Sequence, residues 1–335
     1  MVTVPRALNG IRLSWPTQWE SYFGRSAPLI LEIGFGYAHF LVHLARQRPE
    51  ANIIGLEIAN QCLVAGEEAI TKHRLTNVQL VHARAETALH HLFQPETLHQ
   101  VHVNFPDPWF KKRHSGRRLM QHDNLDAIVS RLQPGGDFYL ATDILAYAEM
   151  SAALLAETPG LENQLPTPWA SSLAGRVTTK YERKAHREGR DCYYFAYRRN
   201  MLVLPPIPVI EELPMTHLVF STPLDMDALF TSFTTQEHNP LPETHIALMR
   251  AYRGDRVLLF EVFIKEPTLD QHVAMTLSPR PQANEYTLKV AAFGYPRATI
   301  GLHTAVRLLA EQLIALHPAA HLVQSKLSDE ALNPE

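Results

Sequence analysis

The chain runs to 335 residues with 46% hydrophobic content and a formal net charge of −3, enough apolar material for two cored domains and nothing in composition that reads as disordered. Its two widely separated cysteines, Cys62 and Cys192, exclude a disulfide framework and a C-x-x-C zinc site and suit a reducing compartment. No apolar run approaches the roughly 18 residues of a membrane span, and residues 1–20 hold no apolar signal core, so a cytoplasmic protein with no membrane association is expected.

Strand-like and helix-like stretches alternate through the first half. PLILEIGF (28–35) predicts a strand and AHFLVHLARQRP (38–49) a helix stopped by proline; NIIGLEI (52–58) and QCLVAGEEAITKHRL (61–75) repeat the pair. NVQLVHA (77–83) with AETALHHLF (85–93), then LHQVHVNFP (98–106) with HDNLDAIVSRLQPGG (122–136), repeat it twice more before a fifth strand at DFYLATD (137–143). Alternation at this density predicts an α/β fold with a doubly wound, mostly parallel, Rossmann-like sheet. Ligands in such folds sit beyond the carboxyl ends of the strands, so the loops after each strand are the places to look. Four prolines in MLVLPPIPVIEELP (201–214), without a helical period, predict an extended linker. Beyond it, RVLLFEVFIKE (256–266), QHVAMTLSP (271–279) and EYTLKVAAFG (285–294) are consecutive strands and TAVRLLAEQLIALHP (304–318) a helix, an order that predicts a smaller α+β domain. The expected organisation is an N-terminal segment (1–24), a main domain (25–200), the linker (201–214) and an accessory domain (215–330).

Charge is divided unevenly. Residues 1–200 hold 22 Lys/Arg against 19 Asp/Glu, and residues 201–335 hold 9 against 15. The excess concentrates at 111–118 and 176–199, so a polyanion is expected on the first half.

Gly34 and Gly36 fall where the first strand turns into the first helix, and glycine there lets the backbone approach a ligand at a helix N-terminus. A dinucleotide fingerprint wants a third glycine three residues after the second; His39 stands there. Instead Glu32 precedes Gly34, and Glu57 ends the second strand, where a carboxylate suits both hydroxyls of a ribose. Glu32 suits an ammonium. Acid, glycines and acid fit a nucleoside carrying a charged amino-acid tail better than a pyrophosphate, while the plain alternative is a tight turn with two solvated glutamates. His39 and His43 have no third ligand and read as helix-surface residues, so no metal is expected.

After the fourth strand comes NFPDPWFKKRHSGRR (104–118). Pro106 and Pro108 restrict the backbone around Asp107, Trp109 offers a face on which a base stacks, and Lys111, Lys112, Arg113, Arg117 and Arg118 offer phosphate partners. The alternative is a solvated basic loop around a buried tryptophan.

EIGFGYA, GLE, NFPDPWFKKRHSGRR, ATD and TKYERKAHREG, in this order and spacing, resemble the tRNA (guanine-N7)-methyltransferase family over about residues 25–200. The resemblance implies a class I S-adenosylmethionine-dependent enzyme that methylates guanosine 46 in the variable loop of tRNA. It implies Asp107 as the active-site residue, Glu32, Gly34, Gly36, Glu57, Arg84 and Asp107 toward the cofactor, and Lys111, Asp143, Thr179, Lys180, Tyr181 and Glu182 toward the substrate. Lys112, Arg113, His114, Arg117 and Arg118 take the RNA-interacting stretch. Two positions depart from the family pattern: Ala38 stands for a third glycine, and Arg84 for an aspartate on the adenine side, where Glu86 is two residues away.

Guanine N7 carries a lone pair and no proton, so its methylation needs alignment and not a general base; Asp107 is assigned an orienting and electrostatic role. NFPDPW also resembles the loop of exocyclic-amine methyltransferases, though the extra residue between the prolines and the basic tail argue against that class. A non-catalytic RNA-binding module is the other rival. The accessory domain, outside the traced resemblance, is expected to brace the catalytic domain, mediate a homodimer or take a protein partner.

Overall fold

The computed structural model describes residues 7–109, 118–178 and 180–332. The chain divides into two compact units, residues 1–210 and 211–335.

In the first unit the elements are β1 (Leu8–Asn9), α1 (Trp19–Phe23), β2 (Leu29–Ile33), α2 (His39–Gln47), β3 (Asn52–Glu57), α3 (Asn60–His73), β4 (Val78–His82) and α4 (Ala85–Thr87), which runs into a π turn at Ala88–Leu92. They continue with β5 (Leu98–Asn104), α5 (His122–Arg131), β6 (Leu132–Thr142), α6 (Leu145–Ala156), β7 (Leu161–Asn163), α7 (Lys180–Arg187) and β8 (Tyr193–Arg199). The sheet order is β1-β4-β3-β2-β5-β6-β8-β7, parallel from β1 through β6 and antiparallel at β8 and β7. Every residue of β2 is buried, as expected of a central strand covered on both faces. The chain moves outward from β2 through β3 to β4, then returns to lay β5 on the other side of β2. The strand order therefore reverses between β2 and β5, and that gap is where open α/β sheets place their ligands.

One sequence expectation needs correcting, and one strand was not foreseen. The helix expected over 122–136 ends at Arg131, and Leu132 already belongs to β6. Leu98 pairs with Leu132 but Gln100 with Asp137, so residues 133–136 bulge opposite His99, with Gly135 at φ +82°. The Pro-Gly-Gly stop signal thus sits in a bulge inside a strand, where proline's missing donor does no harm. YYFAYRR, weighed above only for its charge, forms β8 and makes the sheet mixed.

Arg131 is fully buried at the end of α5 and donates to the carbonyls of Leu89 (2.7 Å), Ile207 (2.6 Å) and Pro208 (3.3 Å). Ile207 N–H also donates to Ser130 Oγ and Ile210 N–H to the His90 carbonyl, so residues 207–210 are fastened to this unit. Burial lowers the Arg131 pKa to about 10, still charged at neutral pH. Arg131→Ala, which removes all three bonds and leaves the buried Leu89 carbonyl without its donor, is expected to cost about 2–4 kcal/mol of stability, read as a lower midpoint in denaturant unfolding.

The second unit comprises β9 (His217–Ser221), α8 (Met226–Ser232), β10 (Gln236–Leu241), β11 (Thr244–Arg253), β12 (Leu258–Lys265), β13 (Asp270–Pro279), β14 (Glu285–Val290), α9 (Ile300–Ile314), β15 (His321–Ser325) and α10 (Asp329–Leu332). Its sheet, in the order β10-β11-β12-β13-β14-β9-β15, is antiparallel throughout. Leu302, Val306, Leu309 and Leu313 of α9 share one core with Leu248, Phe260, Met275 and Leu288 of the strands. α9 begins four residues earlier than the spacing suggested. Thr299 caps it by accepting from Leu302 N–H (3.2 Å), and the Glu266 side chain, which accepts from Gly301 N–H (2.9 Å), lies 2.5 Å from where a Cβ at Gly301 would stand. A glycine that looks like a breaker is there for that close approach. No helix among the described residues is long and apolar enough to cross a membrane.

Candidate functional site

The turn after β2 is built around Phe35. Its ring lies against two glycines: a Cβ on Gly55 of β3 would stand 2.8 Å from Phe35 Cδ1, and one on Gly66 of α3 2.9 Å from Phe35 Cε2. With the ring locked there, Gly34 and Gly36 take φ +73° and +54°, and the N–H groups of Gly34 and Phe35 both donate to the Leu56 carbonyl (2.9 and 3.2 Å). Ala38 also adopts the left-handed conformation (φ +60°), the region glycine enters at least cost, and its methyl is fully buried.

Glu57, at the tip of β3, accepts from three backbone donors: Gly36 N–H to Oε2 (3.0 Å), and Ile58 and Ala59 N–H to Oε1 (2.8 and 3.0 Å). These bonds fix the carboxylate against the glycine turn and leave it one lone-pair direction of roughly four. Arg84, between β4 and α4, lies 3.4 Å from Glu86, so the cation at the β4 tip is matched by the acid two residues on.

Glu32 is 1% exposed, and burial pushes its carboxyl up to about 7 despite the hydrogen bond from Asn104 and the nearby Arg176. Asn104 Nδ2, at the end of β5, donates to Glu32 Oε1 (3.0 Å), while Oε2 has no hydrogen-bond partner among the described residues. Neither Asn104 nor Arg176 was singled out from the sequence, although Asn104 opens the proline motif and Arg176 opens the second basic stretch.

Past Asn104 the chain leaves the sheet. Phe105 N–H still donates to the Ala141 carbonyl (2.8 Å), but Phe105 takes φ +52°, unusual for a bulky residue and for one preceding proline. Its side chain packs against Ala141, Ala185, Cys192 and Tyr194, which draws the loop toward α7 and β8. Asp107 stands exposed beyond it. Arg118 turns inward and holds this loop: Nε donates to the Pro108 carbonyl (3.0 Å), Nη2 to that of Trp109 (3.2 Å), and Nη1 to Met150 Sδ (3.4 Å). The resemblance places Arg118 in the RNA-interacting stretch; here three of its nitrogens are engaged, two of them by the loop that carries Asp107. Lys111, Lys112, Arg113, His114, Arg117 and Thr179 lie outside the described residues, as do the side chains of Lys180 and Tyr181.

Asp143, just past β6, forms an ion pair with Arg190, which also reaches Glu188 (2.5 Å). Glu182 of α7 hydrogen-bonds with Tyr194, whose hydroxyl is held protonated well above its ordinary range by burial and by that carboxylate. Both acids are thus largely buried and partnered, with side chains 15% and 13% exposed, whereas Asp107 is exposed and has no ion-pair partner among the described residues.

A family model described as "Putative methyltransferase" matches residues 26–195, the stretch that forms this sheet and its loops. Among curated proteins, a tRNA (guanine-N(7)-)-methyltransferase of Thermus thermophilus is 32% identical over 315 residues, 94% of this chain and 97% of the relative. Another, of Syntrophotalea carbinolica, is 36% identical over 196 residues, 58% of this chain and 84% of that one; a third, of Cupriavidus pinatubonensis, is 37% identical over 193 residues, 55% and 73% respectively. The similarity to the Thermus protein extends well past residue 200, into the antiparallel unit that the sequence motifs left unassigned. With a model match over half the chain and a relative aligned almost end to end, this protein belongs to the tRNA (guanine-N7)-methyltransferase family.

Proposed function

We propose that the chain transfers the methyl group of S-adenosylmethionine to N7 of guanosine 46 in the variable loop of tRNA. The observation that carries this reading is that the Gly34–Gly36 turn and the Asp107 loop leave the sheet from β2 and β5, on either side of the gap where the strand order reverses. S-adenosylmethionine supplies an electrophilic methyl on a sulfonium. The residues present fit it: a buried, unpartnered carboxylate oxygen on Glu32 suits its ammonium, and the free lone pair of Glu57 suits a ribose hydroxyl. The Gly34–Gly36 turn lets the main chain come close, and the Arg84–Glu86 pair takes the adenine side.

Asp107 accepts from the guanine N1–H and amino group, turns N7 toward the methyl, and favours the positive charge that the ring gains. Asp143 and Glu182 line the same pocket, each held in place by its cationic or phenolic partner. Arg118 keeps the Pro-Asp-Pro-Trp backbone rigid, while Lys111, Lys112, Arg113, His114 and Arg117 grip tRNA phosphates. Thr179, Lys180 and Tyr181 complete the substrate wall. A cytoplasmic site of action follows from the tRNA substrate, and the second unit is proposed as the surface for a homodimer or protein partner.

The test is incubation with unmodified tRNA and methyl-labelled cofactor, followed by nuclease digestion. We expect 7-methylguanosine, with reductive cleavage of the strand at position 46. Label in an exocyclic-amine product would overturn the reading, as would tight tRNA binding without any methyl transfer.

The glycines beneath Phe35 give a second handle. Gly66→Ala, on a helix where alanine ordinarily stabilises, is expected instead to cost about 1–3 kcal/mol through overpacking. By displacing Phe35 it should also weaken cofactor binding, measured by calorimetry.

A further inference from the structure

Arg176 precedes α7 in a segment pressed onto α2. His43 Nε2 of α2 hydrogen-bonds the Gly175 carbonyl (2.9 Å), and Val177 packs on the core that contains Phe40 and Leu41. Between these two anchors the Arg176 guanidinium is carried inward, its carbon 4.7 Å from the centre of the Phe40 ring and 5.3 Å from that of Tyr194. His102 lies along the same wall, 5.2 Å from Phe40 and stacked at 4.8 Å on Tyr139. Burial, with Arg176 nearby, brings His102 down to about 3, so it stays neutral and is no counter-charge for the guanidinium.

Among the described residues, the Arg176 side chain makes one hydrogen bond: Nη2 donates to Asn104 Oδ1 (2.5 Å). Nε and Nη1 are buried and have no hydrogen-bond partner among the described residues. A buried, unsatisfied donor on a charged group costs more than one on a neutral group, so two on one side chain point to a place that a ligand completes.

The other end of the same chain of bonds is Glu32. Asn104 Nδ2 donates to Glu32 Oε1 while its Oδ1 accepts from Arg176, so one small amide spans an acid and a base, and each of the two keeps an unpartnered buried atom beside it. An α-amino acid zwitterion has the same polarity as that amide: a donor group facing the carboxylate and an acceptor group facing the guanidinium. Resting on the cofactor reading above, we propose that Arg176 binds the α-carboxylate of S-adenosylmethionine, across from Glu32 on its ammonium, with Asn104 fixing the spacing of the two. Arg176 is thereby a cofactor-selecting residue that reads the amino-acid tail, and the segment around Gly175 is its support.

The test compares S-adenosylhomocysteine with its decarboxylated analogue, which keeps the adenosine, the thioether and the amine, by calorimetry on the full-length protein. Wild type is expected to prefer the carboxylated ligand by about 10- to 100-fold, the range of charge-assisted hydrogen bonds. Arg176→Gln should bring the two affinities to within about threefold by weakening the carboxylated ligand alone, and Arg176→Lys should restore part of the preference. Loss of both ligands by the same factor would make Arg176 a structural support and overturn the proposal. Unchanged selectivity with a raised KM for tRNA would assign the guanidinium to the nucleic acid and overturn it as well. The wild-type comparison needs no variant to fold: an absence of preference there also defeats the idea. Failure of wild type to bind S-adenosylhomocysteine at all would instead remove the methyltransferase reading on which the proposal stands.

Discussion

Asp107→Asn is expected to lower the methylation rate by about 100- to 1,000-fold, the loss usual when one preorganised electrostatic contact to a developing charge is removed. Asn has nearly the same size, and Asp107 is exposed with no hydrogen bond to its side chain among the described residues, so the substitution leaves the fold intact. Its effect is chemical. An amide presents one donor where the guanine edge needs two acceptors, and it carries no charge to favour the cationic ring. Because Arg118 clamps the loop through the carbonyls of Pro108 and Trp109 and not through the Asp107 side chain, the loop keeps its shape. Single-turnover methyl transfer should therefore collapse while the denaturant midpoint stays at the wild-type value. Turnover within a few-fold of wild type would remove Asp107 from the reaction.

Glu32→Gln should move stability and cofactor binding in opposite directions. The Glu32 carboxyl is raised from 4.5 to about 7, burial being the largest cause. In that interval the native protein holds a proton that the unfolded chain has released, so stability falls as pH rises through the window and remains reduced above it. A shift of that size corresponds to about 3 kcal/mol at pH 8. Glu32→Gln removes the ionisation, so the variant should unfold at higher denaturant than wild type at pH 8, and the difference should close as pH falls toward 4.5. A cationic ammonium binds the ionised carboxylate, so wild-type affinity for S-adenosylmethionine should rise with pH up to about 7 and release a proton below it. The variant should bind about 10- to 100-fold more weakly at pH 8, with no such proton release; calorimetry in buffers of different ionisation enthalpy reads both. A variant no more stable than wild type at pH 8 would mean that Glu32 is not buried as an unpaired acid.

Much of the candidate site was legible because its parts are local. Gly34 and Gly36 sit in a strand-to-helix turn whose chemistry depends on neighbours in sequence, and Glu32 and Glu57 are recognisable by position at strand ends. The Pro-Asp-Pro frame likewise constrains Asp107 without help from distant residues. Strand–helix alternation was readable for the same reason, since a buried parallel strand announces itself by an unbroken apolar run.

What eluded the sequence depends on partners far along the chain. YYFAYRR looked like a charged stretch, and only pairing with β6 makes it a strand. Arg118 was indistinguishable from its basic neighbours until the backbone folded back and offered carbonyls to it. Asp143 and Glu182 matched a motif, but their partners, Arg190 and Tyr194, are chosen by packing. Arg176 lies 72 residues from Asn104, and nothing in its surroundings in sequence shows that its guanidinium is buried. Local rules set which segments form elements and which turns bare their backbone, because those depend on steric and hydrophobic patterns a few residues long. Which charges end up desolvated, paired or left reaching for a ligand is decided by tertiary contact, because the cost of burying a charge exists only once the surrounding chain has excluded water.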